Sequence, residues 1–267
     1  MNFPDQVAAV VLAGGALGEL QPEPGDCPAS KGLLEIAGLP LARHASKALA
    51  GCQGVRSQTV VAPQPFPHWS EVTHWAESQP GLMGSFESGV LQAARDGDDH
   101  HPVLVCCGDL PFVQAEALDD FIVRCRARPA ASIWYGFLRK EVSQKAYPTL
   151  PHTWARLRDG TFCGSGVMML RPSVMLAMRD AMERLTRARK NMFALAGCLG
   201  WSNLLAFALG RLTVLRAEEA GARLFGVPCA GIETPFAELG FNIDDSQSLE
   251  LARAIFQKRG EAPCLTR

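Results

Sequence analysis

Neither sign of charge is in surplus in this sequence: 26 Lys and Arg stand against 27 Asp and Glu, a formal net charge of -1. No overall field favours nucleic acid or an anionic membrane, so any polyanion must be held by a local site. A leader is not expected either. Met1-Asn2-Phe3-Pro4-Asp5-Gln6 carries no basic stretch, and the apolar run from Val7 is too short for a signal or a membrane span. None of the nine cysteines pairs at Cys-x-x-Cys spacing. Cys106-Cys107 fall in an apolar strand, point to opposite faces, and read as small core residues and not as zinc ligands. The expectation is a reduced, cytoplasmic protein with no nucleic-acid and no membrane partner.

Two common nucleotide signatures are missing as well. Ala13-Gly14-Gly15-Ala16-Leu17-Gly18 approaches a dinucleotide fingerprint but has alanine in place of its first glycine. That fingerprint needs a helix to open at once, whereas Pro22, Pro24, Gly25 and Pro28 keep residues 16 to 30 an extended loop. A Rossmann oxidoreductase is disfavoured. No Gly-Lys-Ser/Thr follows a four-residue spacer, which removes the P-loop.

What is present is a chain of 267 residues with 48% hydrophobic content, enough for one large α/β core carrying an insertion. Strand and helix patterns alternate. Val7 to Ala13, Val55 to Ala62 and Val103 to Cys107 read as buried strands; Pro40 to Ala50 and Gln114 to Arg126 read as helices. Ser85 is expected as the N-cap of a helix running to Ala94. Ala131 to Phe137 is strand-like, and Gly166 to Leu170 is a short strand after the glycine-rich Cys163-Gly164-Ser165. Such alternation implies a mainly parallel sheet covered on both faces, with ligands beyond the carboxyl ends of the strands. From Pro172 to about Leu209 the pattern is near-unbroken helix, then Leu212 to Leu215 and Val227 to Ile232 are strand-like and Asp245 to Gln257 is a helix. The tail from Arg259 is expected to fray.

Three segments have the make-up of a site. The strand from Val7 ends in Leu12-Ala13-Gly14-Gly15, where the lack of side chains lets a ligand approach the backbone and its N–H groups meet phosphate. Lys31 stands alone ahead of Gly32-Leu33-Leu34-Glu35-Ile36-Ala37-Gly38. Gly108-Asp109-Leu110-Pro111 follows another strand; Asp109 serves either a hard divalent cation or the turn into the next helix. In Gly240-Phe241-Asn242-Ile243-Asp244-Asp245, Asn242 and Asp244 face one side of an extended segment, as ligands or as solvated groups before a helix cap.

Together these elements resemble the MobA-like nucleotidyltransferases, the group of glycosyltransferase-A (GT-A) type fold that includes molybdenum-cofactor guanylyl- and cytidylyltransferases and sugar-phosphate and methylerythritol-phosphate nucleotidyltransferases. The matches are Leu12-Ala13-Gly14-Gly15, Lys31 with Leu34 and Gly38 to Leu41, Gly84-Ser85, Gly108-Asp109-Leu110-Pro111, and Asn242-Ile243-Asp244 ahead of Leu249; they run in family order over residues 7 to 255. The resemblance implies a three-layer, Rossmann-like α/β domain of GT-A type over residues 1–267, with a mainly parallel mixed sheet and a helical insertion at about 172–210. It implies that Leu12, Ala13, Gly14 and Gly15 hold the nucleotide, that Lys31 contacts its phosphates, that Asp109 binds magnesium, and that Gly84 and Ser85 meet base and ribose. Asn242 or Asp244 falls at the second metal position. The reaction implied is transfer of a nucleoside monophosphate from a nucleoside triphosphate (NTP) to a small acceptor, with Mg2+ and Lys31 as the catalytic cations beside Asp109. A pterin of molybdenum-cofactor maturation is the first acceptor suggested, a phosphorylated metabolite the next.

The loop departs from the family. An arginine usually follows the glycines, yet Glu19, Glu23 and Asp26 are the only charges between Gly15 and Lys31, and Gly32 stands where proline is common. Three carboxylates repel a triphosphate. Either the basic group Arg184, Arg187, Arg189 and Lys190 supplies the missing cation, or the chain is a catalytically silent nucleotide-binding or regulatory protein. A nucleotide-sugar glycosyltransferase of the same fold is the remaining rival. Among other conspicuous residues, His100-His101 after Asp96-Gly97-Asp98-Asp99 read as a hydrophilic loop. Phe66, His68, Trp69, His74 and Trp75 read as a loop and short helix near the base site, either stacking on a ring or packing in the core.

Overall fold

A computed structural model describes residues 3–22, 27–95, 100–188, 197, 198 and 200–260. The first strand, β1 (Val7–Leu12), is buried on both faces, as its unbroken apolar sequence requires. A small ribbon of β2 (Glu35–Ile36) and β3 (Leu39–Pro40) follows, then β4 (Val55–Ala62), β5 (His74–Glu77) and β6 (Val103–Cys107). The second half contributes β7 (Ile133–Arg139), β8 (Ala155–Leu157), β9 (Gly160–Leu170) and β10 (Cys229–Glu233). Apart from the ribbon these strands form one sheet of order β10-β7-β9-β6-β1-β4-β5, with β8 paired to β9. β1, β4, β5 and β6 are parallel, as are β7 and β10, and β9 runs antiparallel between β6 and β7.

The helices among the described residues are α1 (Leu41–Ala50), α2 (Gly81–Ala94), α3 (Ala115–Arg126), α4 (Lys140–Ala146), α5 (Met175–Ala188), α6 (Trp201–Ala208), α7 (Val214–Phe225) and α8 (Ser246–Arg259). One face of the sheet packs α1 and α3 through Ala45, Leu49, Leu118 and Phe121 against Val11 and Leu104. The other packs α2 and α5 through Phe86, Val90, Met175 and Met178 against Val10 and Val105. This is the expected three-layer α/β architecture of Rossmann type with a mixed, mostly parallel sheet. A third cluster lies apart from these layers: Leu20, Leu34, Phe112, Phe241, Ile243 and Phe256. Its edge-to-face ring contact, 4.8 Å between Phe112 and Phe241, fastens the segment ahead of α8 to the loop that follows β6.

Several elements differ from expectation. The helix expected with Ser85 as its N-cap begins five residues earlier, capped at Pro80, because Gly81 adopts φ +77 and turns the chain into α2, leaving Ser85 in its interior. Leu212 to Leu215 is not a strand: Thr213 caps α7, its hydroxyl accepting from Arg216 N at 3.2 Å. The strand expected from Gly166 starts at Gly160, so Cys163-Gly164-Ser165 are part of β9, where a Cβ on Gly164 would meet the Tyr135 hydroxyl. His74 and Trp75 lie on edge strand β5, not on a helix. Glu23, Asp26, Asp96 to Asp99, Arg189, Lys190 and the tail beyond Gly260 lie outside the described residues.

Candidate functional site

The parallel register brings three chain ends to one rim, since Leu12 lies opposite both Val61 of β4 and Cys107 of β6. Gly108 N donates to Leu12 O at 3.0 Å, so the segments Leu12–Gly15 and Gly108–Asp109 leave the sheet side by side. Close packing explains the glycines. A Cβ on Gly14 would lie 2.5 Å from Ser78 Cβ, and one on Gly108 would lie 2.6 Å from Leu12 O. A Cβ on Gly32 would lie 2.6 Å from both Ala13 Cα and Ala13 O, which gives the physical reason for glycine at that position. The loop returns to the sheet through Lys31 N, which donates to Gly15 O at 2.7 Å, and Ser30 Oγ, which donates to Ala13 O at 2.6 Å.

These contacts direct the Lys31 ammonium to the rim, where it forms an ion pair with Asp109 Oδ2 and a second with Asp244 Oδ1 at 3.1 Å. Asp109 Oδ1 accepts from Asn242 Nδ2 at 2.9 Å, and its carbonyl accepts from Ile243 N at 3.1 Å. The last bond sets the strand-like 242–244 segment against Asp109, and Gly166 leaves room for it, since a Cβ there would lie 3.0 Å from Asn242 Nδ2. Lys31, Asp109, Asn242 and Asp244, more than 200 positions apart at the extremes, therefore form one polar cluster. Asp109 is nearly buried and Asp244 is largely exposed, with side-chain exposures of 10% and 75%. Burial works to lower the Lys31 pKa, but the Asp109 and Asp244 carboxylates outweigh it and the net displacement is upward, so the ammonium is retained.

The donor set is hard: two carboxylates and an amide oxygen, the chemistry that suits magnesium or calcium and not zinc. Among the described residues no three His, Cys, Asp or Glu side chains converge on a common point. The neighbouring Cys107 thiol is pushed well up by burial and by Asp109, which keeps it protonated and outside such a donor set.

Beside Asp244 lies a cavity of about 420 Å³ lined by Pro151, His152, Thr153, Cys163, Gly164, Gly240, Asn242, Asp244, Asp245 and Ser248. Of these lining residues, the sequence reading singled out Asn242 and Asp244 and missed His152, Thr153, Cys163 and Gly164. The signal was concealed by topology: only the antiparallel course of β9, pairing Leu138 with Cys163 and Phe137 with Gly164, carries its glycine-rich half to this rim. His152 Nε2 lies 2.8 Å from Ser143 Oγ and its ring meets Trp154 edge-on at 4.9 Å. Burial lowers its pKa and Asp244 partly offsets that.

Other candidates stand elsewhere. Ser85 is close to the Gly14 turn, but its hydroxyl accepts from Gln79 N and donates to Gln79 O, both at 3.0 Å, tying the segment ahead of α2 to the helix that carries Gly84. Trp75 stacks on Phe66 at 5.3 Å and meets Trp69 edge-on, with Arg43 over Trp69; all pack on the α1 face, opposite to α2. The core alternative therefore holds for this aromatic group. Arg184 donates to Leu224 O at 2.8 Å, ahead of β10 and so at the amino end of the parallel strands, while Arg187 pairs with Glu183 at 2.9 Å. Neither reaches the Lys31 cluster, which corrects the expectation that they supply a cation there. His100 contributes its carbonyl to buried Arg171.

Compared with known proteins, residues 9–196 match the sequence profile of the MobA-like NTP transferase domain. Asn242 and Asp244 lie beyond that match. Among solved structures, a hypothetical transferase from Thermus thermophilus shares 29% identity at a TM-score of 0.76, over 91% of this chain and 99% of its own. CMP:2-keto-3-deoxy-manno-octonic acid synthetase in complex with CTP shares the fold at 14% identity and a TM-score of 0.56, covering 95% and 100% of the two chains. The fold is also that of 2-C-methyl-D-erythritol 4-phosphate cytidylyltransferase from Thermus thermophilus, at 15% identity and a TM-score of 0.50, covering 94% and 99%. No curated protein matches the chain by sequence. Among the described residues no helix is long and apolar enough to cross a membrane.

Proposed function

The chain belongs to the MobA-like NTP transferase domain family, and from that premise we propose that it transfers a nucleoside monophosphate from an NTP to a small acceptor, releasing pyrophosphate. The observation that carries this reading is the Lys31 ammonium, paired with Asp109 and Asp244 beside the side-chain-free Gly14–Gly15 turn. In this reading the whole chain is one domain with residues 172–210 inserted. It acts in the cytoplasm, supported by the described cysteines all being free.

The nucleotide lies over Leu12–Gly15, whose backbone it approaches closely, with base and ribose toward the start of α2, which carries Gly84 and Ser85. Lys31 leaves Asp244 to meet the phosphates and stabilises the charge that develops on the leaving pyrophosphate, where a fixed cation acts most strongly. Asp109, together with Asp244 or the Asn242 carbonyl, would hold Mg2+, a group that neutralises phosphate oxygens and aligns them for in-line attack. Asn242 holds Asp109 in place through the bond between them. The acceptor occupies the cavity beside Asp244, a pterin of molybdenum-cofactor maturation being the first candidate by family likeness.

Thermal unfolding with each of the four ribonucleoside triphosphates, with and without magnesium, tests this. A ligand at a hundredfold its dissociation constant adds about 2.7 kcal/mol of apparent stability, and one NTP with magnesium should do so; no shift with any of them would contradict the reading. One observation favours a second reading. The Glu19 carbonyl accepts from Ser246 Oγ at 3.4 Å, which holds this acidic loop beside α8, while Arg184 and Arg187 are engaged away from the site, so binding without turnover would identify a silent nucleotide-binding protein.

A further inference from the structure

Resting on the nucleotidyltransferase reading, we propose that the acceptor attacks through a neutral hydroxyl and not through a phosphate, and that His152 receives its proton. The charge of the cavity decides the acceptor group. Among the described residues its lining carries two carboxylates, Asp244 and Asp245, one imidazole, and no lysine or arginine; the cation at its edge, Lys31, is held by Asp109 and Asp244 and is committed to the triphosphate. A bound phosphate monoester needs cations or free N–H groups, and the cavity offers neither in quantity.

Backbone donors converge at the amino end of α8, which holds Ser248 against the cavity. There the anion position is already filled from within the chain: Asp245 Oδ1 accepts from Ser248 N at 2.7 Å and from Ser248 Oγ at 2.8 Å, closing a capping box. Basic side chains on neighbouring elements are also engaged. Arg139 is held by both oxygens of Glu233, at 2.7 and 3.1 Å, and Lys140 lies over the Trp154 ring at 5.6 Å.

A phosphate nucleophile is already ionised and needs no base, whereas a hydroxyl does. His152 is the nitrogen base in this lining, and its Nε2 is held 2.8 Å from Ser143 Oγ. In the step, the acceptor oxygen forms a bond to the α-phosphorus, its proton passes to the imidazole, and the bond to the β-phosphate oxygen breaks with its electron pair leaving on pyrophosphate. The product is a phosphodiester and not a diphosphate.

The test uses the full chain with magnesium and the NTP it binds, and two matched acceptor pools. One holds neutral hydroxyl compounds such as glycerol, ribitol, glucose and a neutral pterin alcohol; the other holds their monophosphates. Pyrophosphate release should rise at least tenfold with the first pool only, and phosphorus NMR of the product should show one phosphodiester signal. Stimulation by the monophosphates, a coupled diphosphate signal, or no stimulation by either pool while nucleotide binding persists would overturn the proposal. Loss of nucleotide binding itself would instead count against the parent reading. His152→Ala should lower turnover about 100-fold with nucleotide affinity unchanged and be partly rescued by added imidazole; turnover equal to wild type would overturn the proton assignment.

Discussion

Lys31 is held by two carboxylates in a site that must also accept a polyanion, and that competition makes its behaviour predictable. Lys31→Met should lower turnover by about 10²–10³, the loss typical of one pre-organised donor to developing charge, with initial rates as the measurement. It should also leave Asp109 and Asp244 facing each other uncompensated, so magnesium alone should raise the melting temperature of the variant more than that of wild type. The raised Lys31 pKa gives a further check. A group whose folded pKa lies above its unfolded value of 10.5 contributes its full stability below that value and loses it as pH rises through the folded pKa. Urea unfolding from pH 9 upward should therefore show wild type losing stability more steeply above pH 10.5 than Lys31→Met. That Lys31, Asp109 and the Gly14–Gly15 pair meet at one rim was legible in the sequence, because the glycines and Asp109 each follow a buried strand. His152 and Cys163 were not, because nothing local distinguishes them until β9 and the 151–153 segment are folded against Asp244.

Among the elements, the buried strands β1, β4, β6, β7 and β10 were readable to within two residues, since continuous apolar runs leave no other fate, whereas β9 starts six residues ahead of the expected Gly166 because its glycine-rich half lacks such a run. Local chemistry misled where one residue type serves two elements. Ser85 has the residue type of an N-cap but sits inside α2, its hydroxyl spent on Gln79, and the positive φ that starts the helix belongs to Gly81. Thr213-Val214 has β propensity, yet its hydroxyl caps α7. Thr213→Ala should cost about 1 kcal/mol, read by denaturant unfolding, and lower stability without altering nucleotide affinity. Gly14→Ala has the opposite profile. Its Cβ would fall 2.5 Å from Ser78 Cβ, so the turn must shift, and nucleotide affinity should drop by at least tenfold in a calorimetric titration even where the protein folds.

For the whole molecule, alternating strands and helices implied the layered sheet and the rim that carries the site. The sense of β9 did not follow from them: an antiparallel strand in the middle of the sheet is buried like its parallel neighbours and shares their composition. Nor did the third hydrophobic cluster, where Phe112, Phe241 and Phe256 come from three distant segments and fasten the 242–244 stretch beside Asp109. That cluster makes the chain beyond the matched family region part of the site. The central claim, that this rim holds an NTP through Lys31 and Asp109 with magnesium, is tested most directly by calorimetric titration of the bound NTP into wild type and Asp109→Asn with and without magnesium. Wild type should show one site whose affinity rises at least tenfold with magnesium, and the variant should keep the fold and lose that magnesium dependence. Equal magnesium dependence in the two proteins, or no NTP binding to wild type, would contradict the claim.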